Sequence, residues 1–235
     1  MTPPLFPSSE KPALIVTDQL TKIYAPGKDI STVAVAGINL SISSGEFLAI
    51  AGPSGSGKST LLNLLGALDA PTSGTITFDG NNITQTDIRR LATFRLRQIG
   101  FVFQAYNLIN TLTALENVEY IMLLQGINPQ VRRQRAYDIL KRVGLEQYLQ
   151  RFPAEMSGGQ QQRVAVARAI AAEPKVVMAD EPTANLDSKT AESLIRLMQE
   201  LNTEKSITFI FSTHDKMIID QAKRVITLKD GKIVS

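Results

Sequence analysis

The sequence predicts an α/β core interrupted by an inserted helical lobe, and three observations predict it. The compact apolar run Phe47-Leu48-Ala49-Ile50-Ala51 reads as a buried strand, and it leads directly into a glycine-rich loop and a helix. From about Ala114 to Ala172 the β-rich runs thin out and the pattern turns helical. Short β-rich runs then return at Lys175 to Ala179, Ile207 to Ser212 and Val225 to Leu228. Strand, helix and strand alternating around a helical block argue for an α/β core with a helical subdomain.

Taken in order, residues 1–12 are rich in Pro and Ser and lack an apolar h-region, so they read as a flexible tail rather than a signal peptide. Leu14 to Gln19 and Ala34 to Ile42 read as strands separated by a polar loop at Ala25 to Thr32. A helix is expected over Thr60 to Leu68, ending before Ala70-Pro71. Thr75 to Phe78 with Asp79-Gly80 reads as strand and turn, and Ile99 to Gln104 as another strand. Inside the lobe, Leu140, Val143 and Leu145 give apolar spacing and Gly144 marks a helix end. Lys229-Asp230-Gly231-Lys232 supplies a hairpin turn before Ile233-Val234. There is no internal repeat.

With 235 residues, 43% of them hydrophobic and 20% charged, the chain suits one soluble globular core carrying a lobe. The absence of cysteine excludes disulfides and thiolate metal sites and fits a reducing compartment. No apolar run approaches the roughly 18 residues that a membrane-spanning helix needs. Basic residues exceed acidic ones by 25 to 22, so the charge excess is mild. The local clusters Arg89-Arg90 with Arg95 and Arg97, and Arg132-Arg133 with Arg135, read first as solvated helix faces and second as attraction to anionic headgroups. A single aromatic, Phe94, lies among them, so no nucleic-acid partner is expected.

Gly52-Pro53-Ser54-Gly55-Ser56-Gly57-Lys58-Ser59, with Thr60 opening the expected helix, satisfies the pattern of a phosphate-binding loop. Its glycines let backbone N–H groups close on phosphate oxygens, and the helix behind adds the positive end of its dipole. Lys58 then reaches the β- and γ-phosphates, and the Ser59 hydroxyl serves Mg²⁺. Asp180, closing an apolar strand, is placed to hold Mg²⁺ through water, and Glu181 is the candidate base for the attacking water. Ser157-Gly158-Gly159-Gln160 fits a capping box, which accounts for the serine and the glutamine. It leaves unexplained two glycines in a first helical turn, each costing up to about 1 kcal/mol against alanine. Close approach of an anionic ligand to the helix tip explains them.

The phosphate loop, Met156-Ser157-Gly158-Gly159-Gln160-Gln161-Gln162-Arg163 and Val176-Val177-Met178-Ala179-Asp180-Glu181, in this order along the chain, resemble the ATPase subunits of ATP-binding-cassette (ABC) transporters. The resemblance implies a P-loop NTPase core, a RecA-like sheet plus an antiparallel β subdomain, over residues 13–235, with an inserted α-helical subdomain at approximately 105–172. It implies that Ser157, Gly158, Gly159 and Gln160 meet the γ-phosphate bound to an opposite subunit, so that a homodimer or pseudo-symmetric dimer encloses ATP at its interface. Met156 stands where leucine is usual, a swap of similar volume. His214, the single histidine, matches the residue that contacts the γ-phosphate and helps position the water; alone it would more often be structural. Gln104 matches a glutamine that contacts Mg²⁺ and water and hinges the lobe, with a solvent-facing glutamine as the plain alternative. Asp187 resembles part of a loop crossing the dimer interface and also fits a simple N-cap. Tyr24, 28 positions before Gly52, matches an aromatic that stacks on adenine, although a tyrosine there also suits core or surface.

Phe103-Gln104-Ala105-Tyr106-Asn107-Leu108 and Leu112-Thr113-Ala114-Leu115-Glu116-Asn117-Val118 look like the branch serving lipoprotein release and macrolide efflux, with Ala184 where that branch often has glycine. The cofactors implied are ATP and Mg²⁺. The implied partner is a transmembrane permease on another polypeptide, with this chain peripheral at the cytoplasmic face of the inner membrane. With the sequence running only to Ser235 after the hairpin turn at Gly231, no C-terminal regulatory domain is expected. Two other readings share these motifs: a cell-division ATPase that signals across the membrane without transport, and a soluble cassette protein acting on nucleic acid.

Overall fold

The computed structural model describes residues 13–27 and 30–235; the expected tail over 1–12 lies outside the described residues. β1 (Ala13–Gly27) pairs antiparallel with β2 (Ile30–Ser43) and β4 (Ser73–Phe78), and the short β5 (Asn81–Asn82) closes on β4. A second sheet is built from β3 (Phe47–Ala51), β6 (Ile99–Val102), β7 (Val176–Asp180), β8 (Thr208–Thr213), β9 (Arg224–Lys229) and β10 (Lys232–Ile233). Its order is β10-β9-β3-β8-β7-β6, all parallel except the β9–β10 hairpin.

The helices are α1 (Lys58–Leu65), α2 (Ile88–Gln98), α3 (Ala114–Leu124), α4 (Pro129–Arg142), α5 (Gly158–Ala171), α6 (Ser188–Lys205) and α7 (Lys216–Gln221). Each of α2, α3, α4, α5, α6 and α7 starts on a side-chain N-cap: Asp87, Thr113, Asn128, Ser157, Asp187 and Asp215. Such a cap satisfies an otherwise orphaned backbone N–H and contributes about 1 kcal/mol.

The central strands explain their own composition. β3 lies between β8 and β9, every residue of it is buried, and so both faces must be apolar. Side chains alternate between two cores. Phe47, Val177, Ala179, Phe209 and Phe211 join α3, α4, α5 and α6 on one face. Leu48, Ile50, Val176, Met178 and Ile210 join α1 and the antiparallel sheet on the other. Phe47 packs on Phe211 with ring centroids 4.7 Å apart, and burying such a ring contributes about 1.5–3 kcal/mol. The same alternation carries Asp180 and Ser212 onto the α1 face, where the phosphate loop ends.

Several boundaries differ from expectation. Most of the loop expected over Ala25 to Thr32 is ladder, because pairs such as Tyr24↔Thr32 and Gly27↔Ile30 continue β1 and β2 almost to the tip. Backbone pairing tolerates the polar side chains that suggested a loop. α1 starts at Lys58 and stops at Leu65, beginning two residues and ending three residues before the expected Thr60 to Leu68, since the loop itself winds into the first turn. β6 ends at Val102, so Phe103 and Gln104 lead into a turn in which Tyr106 and Asn107 have φ of 61° and 50°. α2 buries none of its residues fully; Leu91 and Phe94 pack half-buried on the core, Phe94 edge-on to Phe78 with centroids 4.9 Å apart.

Candidate functional site

The phosphate loop is held by contacts within the chain. Gly57 adopts φ of 101°, and a Cβ there would lie 2.1 Å from the Ala34 carbonyl oxygen, so only glycine fits. Lys58 is 7% exposed, and its Nζ donates to the Gly52 and Pro53 carbonyls at 2.8 and 2.9 Å. The ammonium thus spans the cradle and is held there by two neutral acceptors that a phosphate would outcompete. Ser56 packs beneath the loop with its N–H on the Pro53 carbonyl.

A cleft of about 480 Å³ opens over this loop, and it is lined by Tyr24, Ser54, Gly55, Gly57, Lys58, Ser59, Thr60, Gln104, Glu181 and His214. Most of the residues expected to serve one nucleotide therefore meet in one place. At its floor the Ser59 hydroxyl donates to Asp180 Oδ1 at 3.0 Å, across 121 residues of sequence. Glu181 follows β7 with φ of 45°, its N–H bonded to the Ser212 carbonyl at 2.9 Å. This left-handed step, rare for a side-chain-bearing residue, turns the carboxylate out of the sheet. Glu181 Oε1 lies 2.7 Å from His214 Nδ1, and the carboxylate is 14% exposed against 72% for the imidazole. Thr213 Oγ1 reaches Glu181 Oε2 at 3.4 Å.

At the rim, the Tyr24 hydroxyl donates to Asp69 Oδ2 at 2.8 Å, and Lys22 Nζ stands 4.9 Å from the Tyr24 ring centroid. Burial and the hydrogen bond to Asp69 push the Tyr24 hydroxyl above its ordinary pKa. Burial alone would raise the Asp69 carboxyl, but hydrogen bonds from Lys22, Tyr24 and the Ala70 amide outweigh it and hold it below the usual carboxylate range.

Ser157, Gly158, Gly159, Gln160 and Asp187 do not line this cleft. They form a separate groove of about 320 Å³ with Arg163, Asn185, Leu186 and Thr190. The expected capping box is present: Gln160 N–H donates to Ser157 Oγ at 3.3 Å, and Ser157 N–H donates to Gln160 Oε1 at 2.9 Å. The two glycines have a reason within this chain that the sequence did not show. A Cβ on Gly158 would lie 2.7 Å from the Tyr106 hydroxyl, and one on Gly159 would lie 2.6 Å from Thr190 Cγ2. Close packing against the turn at Tyr106 and against α6 therefore also favours glycine at both positions, so ligand approach is no longer their sole explanation. Asp187 is an N-cap, accepting from the Thr190 N–H at 3.0 Å and the Thr190 hydroxyl at 2.6 Å.

Other contacts escaped sequence reasoning because they join distant loops. Asn185 Nδ2 donates to the Gln104 carbonyl at 2.9 Å, tying the Asp187 loop to the turn after β6. Arg168 donates to the Tyr106 and Asn107 carbonyls, and burial lowers the pKa of its guanidinium. The Thr183 hydroxyl donates to Asp215 Oδ2 at 2.7 Å, joining the segments after β7 and β8. A larger groove of about 630 Å³ beside α4 contains none of the expected site residues.

The profile of the ABC transporter family matches residues 35–184. The chain belongs to this family. An uncharacterised ABC transporter ATP-binding protein of Methanocaldococcus jannaschii is 47% identical over 94% of this chain and 98% of its own. The lipoprotein-releasing system ATP-binding protein LolD of Idiomarina loihiensis is 45% identical, with 93% of this chain and 96% of the relative covered. The macrolide export ATP-binding/permease protein MacB of Hyphomonas neptunium is 45% identical over 95% of this chain, which spans only 34% of that relative. Among solved structures, the ATP-binding cassette MJ0796, in a dimeric post-hydrolysis state bound to ADP and Pi, superposes with a TM-score of 0.88 at 43% identity, covering 94% of this chain and 97% of that one. This ABC ATPase thus binds and hydrolyses ATP, and it resembles the lipoprotein-releasing and macrolide-efflux branch. No helix among its described residues is long and apolar enough to cross a membrane.

Proposed function

We propose that two copies of this ABC ATPase, or one copy and a close relative, enclose ATP head to tail and so power a separate transmembrane permease of the lipoprotein-releasing or macrolide-export type. The chain then sits at the cytoplasmic face of the inner membrane. The observation that carries this reading is the separation of the two half-sites: Ser157, Gly158 and Gly159 line their own groove, while Lys58, Ser59 and Glu181 line the cleft. A second chain has to bring the glycine helix tip to the phosphates.

In this reading Gly52 to Thr60 cradle the phosphates, Lys58 leaves its two carbonyls for the β- and γ-phosphates, and Tyr24 offers the adenine the ring face not taken by Lys22. Ser59, Asp180 and Gln104 would hold Mg²⁺, and oxygen donors of this kind suit that hard ion. When bound, the metal neutralises charge that develops on the phosphates. Glu181 accepts a proton from the attacking water, and His214 orients the Glu181 carboxylate and reaches toward the γ-phosphate. Differential binding of ATP to the closed dimer is the energy source. The lobe at approximately 105–172 passes the closure to the permease, with Gln104 as its hinge.

The test uses Glu181→Gln with ATP. Light scattering is expected to show a dimer holding two ATP molecules, and the protein alone or with ADP a monomer. A variant that stays monomeric at saturating ATP overturns the reading.

A further inference from the structure

The Ser212 hydroxyl is fully buried, and its Oγ has no hydrogen-bond partner among the described residues. Leaving a hydroxyl unpaired in a sheet interior is costly, and an apolar side chain would serve packing better there. The next two positions back along the same face show what packing alone selects: Ile210 on β8 and Met178 on β7 are both buried and apolar. Ser212 interrupts that pattern at one level, the level of the site.

Three relations place it. Ser212 is in parallel register with Asp180 on one side and with Ile50 on the other. Residues paired in this way on adjacent strands project to the same face, with strands about 4.8 Å apart. That face is the one covered by α1, whose first turn carries Ser59, and Ser59 already engages Asp180 Oδ1. The Ser212 carbonyl moreover accepts the Glu181 N–H, so the residue also anchors the turn that presents the base.

We infer that Ser212 is a positioning residue for the metal-holding carboxylate: its hydroxyl donates to Asp180 once Ser59 and Asp180 turn to serve Mg²⁺. A serine hydroxyl rotates freely and carries one proton to give. An ionised carboxylate accepts several hydrogen bonds and is oriented by each, and partners behind a ligating group commonly tune metal affinity. This inference rests on the reading of Asp180 as the carboxylate that holds Mg²⁺.

The experiment titrates Mn²⁺ into the ADP-loaded protein by electron paramagnetic resonance and measures ADP affinity separately in EDTA. Ser212→Ala and Ser212→Val both remove the hydroxyl but differ in volume, and Asp180→Asn tests the underlying site. Expected are a loss of Mn²⁺ affinity of about tenfold, shared by both serine variants, an unchanged ADP affinity in EDTA, and a melting temperature in EDTA that is equal or higher in Ser212→Ala. If Asp180→Asn weakens Mn²⁺ binding and the serine variants do not, this inference fails and the metal site stands. Parallel loss of ADP affinity in EDTA would mark a merely structural role and also sink it. If Asp180→Asn leaves Mn²⁺ binding intact, the reading of the site fails and this inference with it.

Discussion

His214 Nδ1 lies 2.7 Å from Glu181 Oε1, so the single imidazole of the chain is docked on the carboxylate proposed as the base for the attacking water. Replacing Glu181 with Gln keeps the shape and removes the basicity. ATP binding is expected to persist while phosphate release slows on the order of a hundredfold to ten-thousandfold, the span attributed to general bases. Near-normal phosphate release in a continuous assay would strip Glu181 of that role.

Because Ser157 lies outside the cleft of its own chain, Ser157→Arg is expected to leave ATP affinity of the monomer unchanged while abolishing ATP-driven dimerisation. Equilibrium binding at low protein concentration and light scattering at high concentration separate the two effects. Equal loss of monomer binding would mean that the glycine helix serves its own phosphates.

The two reasons for Gly159, partner approach and contact with Thr190, can be pulled apart. Gly159→Ala forces a Cβ toward Thr190 Cγ2 and is expected to lower stability by about 1–3 kcal/mol, the range for overpacking. Adding Thr190→Ser deletes that methyl but keeps the hydroxyl that donates to Asp187. Chemical denaturation should then show recovery. Dimerisation that stays lost in the recovered double variant assigns the remaining requirement to the partner's phosphate.

Tyr24 presents a ring to the cleft and a hydroxyl to Asp69. Tyr24→Ala is expected to weaken ATP binding by roughly tenfold, in keeping with about 1–3 kcal/mol for base stacking on an aromatic side chain. Tyr24→Phe, which keeps the ring, should stay within about twofold of the parent. Equal loss in both variants, measured by calorimetry, would point to the Asp69 contact rather than to stacking.

The Asp187 cap carries a pH signature. Hydrogen bonds from the Thr190 side chain and amide hold its carboxyl below the ordinary value, so its folded pKa is depressed. The stabilisation is therefore present above the unfolded pKa of about 3.9 and is lost as pH falls through the lower folded value. The melting-temperature gap between the parent and Asp187→Ala should be constant near neutrality and close only in that acid window. A gap that closes at pH 6 would contradict the capping geometry.

Much of this was legible in the chain because the signals were local. Gly52 to Ser59 are adjacent, so the loop, its preceding strand and its helix show in one reading. Ser157 and Gln160 sit three apart and announce their own cap. By contrast α2 only half-buries Leu91 and Phe94 against the core, so its apolar face is thin and interrupted by arginines, and Tyr24 lies where β1 and β2 pair although the intervening residues look like a loop.

By itself, the sequence determined the chemistry available: which loop has the phosphate-binding pattern, which carboxylates follow which strand, and which helix begins with two glycines. Tertiary structure alone decided the groupings. Strand order brought Asp180 beside Ser212 and beneath Ser59, a left-handed residue turned Glu181 onto His214, and the packing of Tyr106 and Thr190 gave the two glycines a second purpose. The physical reason is range. Caps, turns and strand alternation depend on residues a few positions apart, whereas hydrogen bonds and steric contacts between segments depend on how the sheets and helices stack.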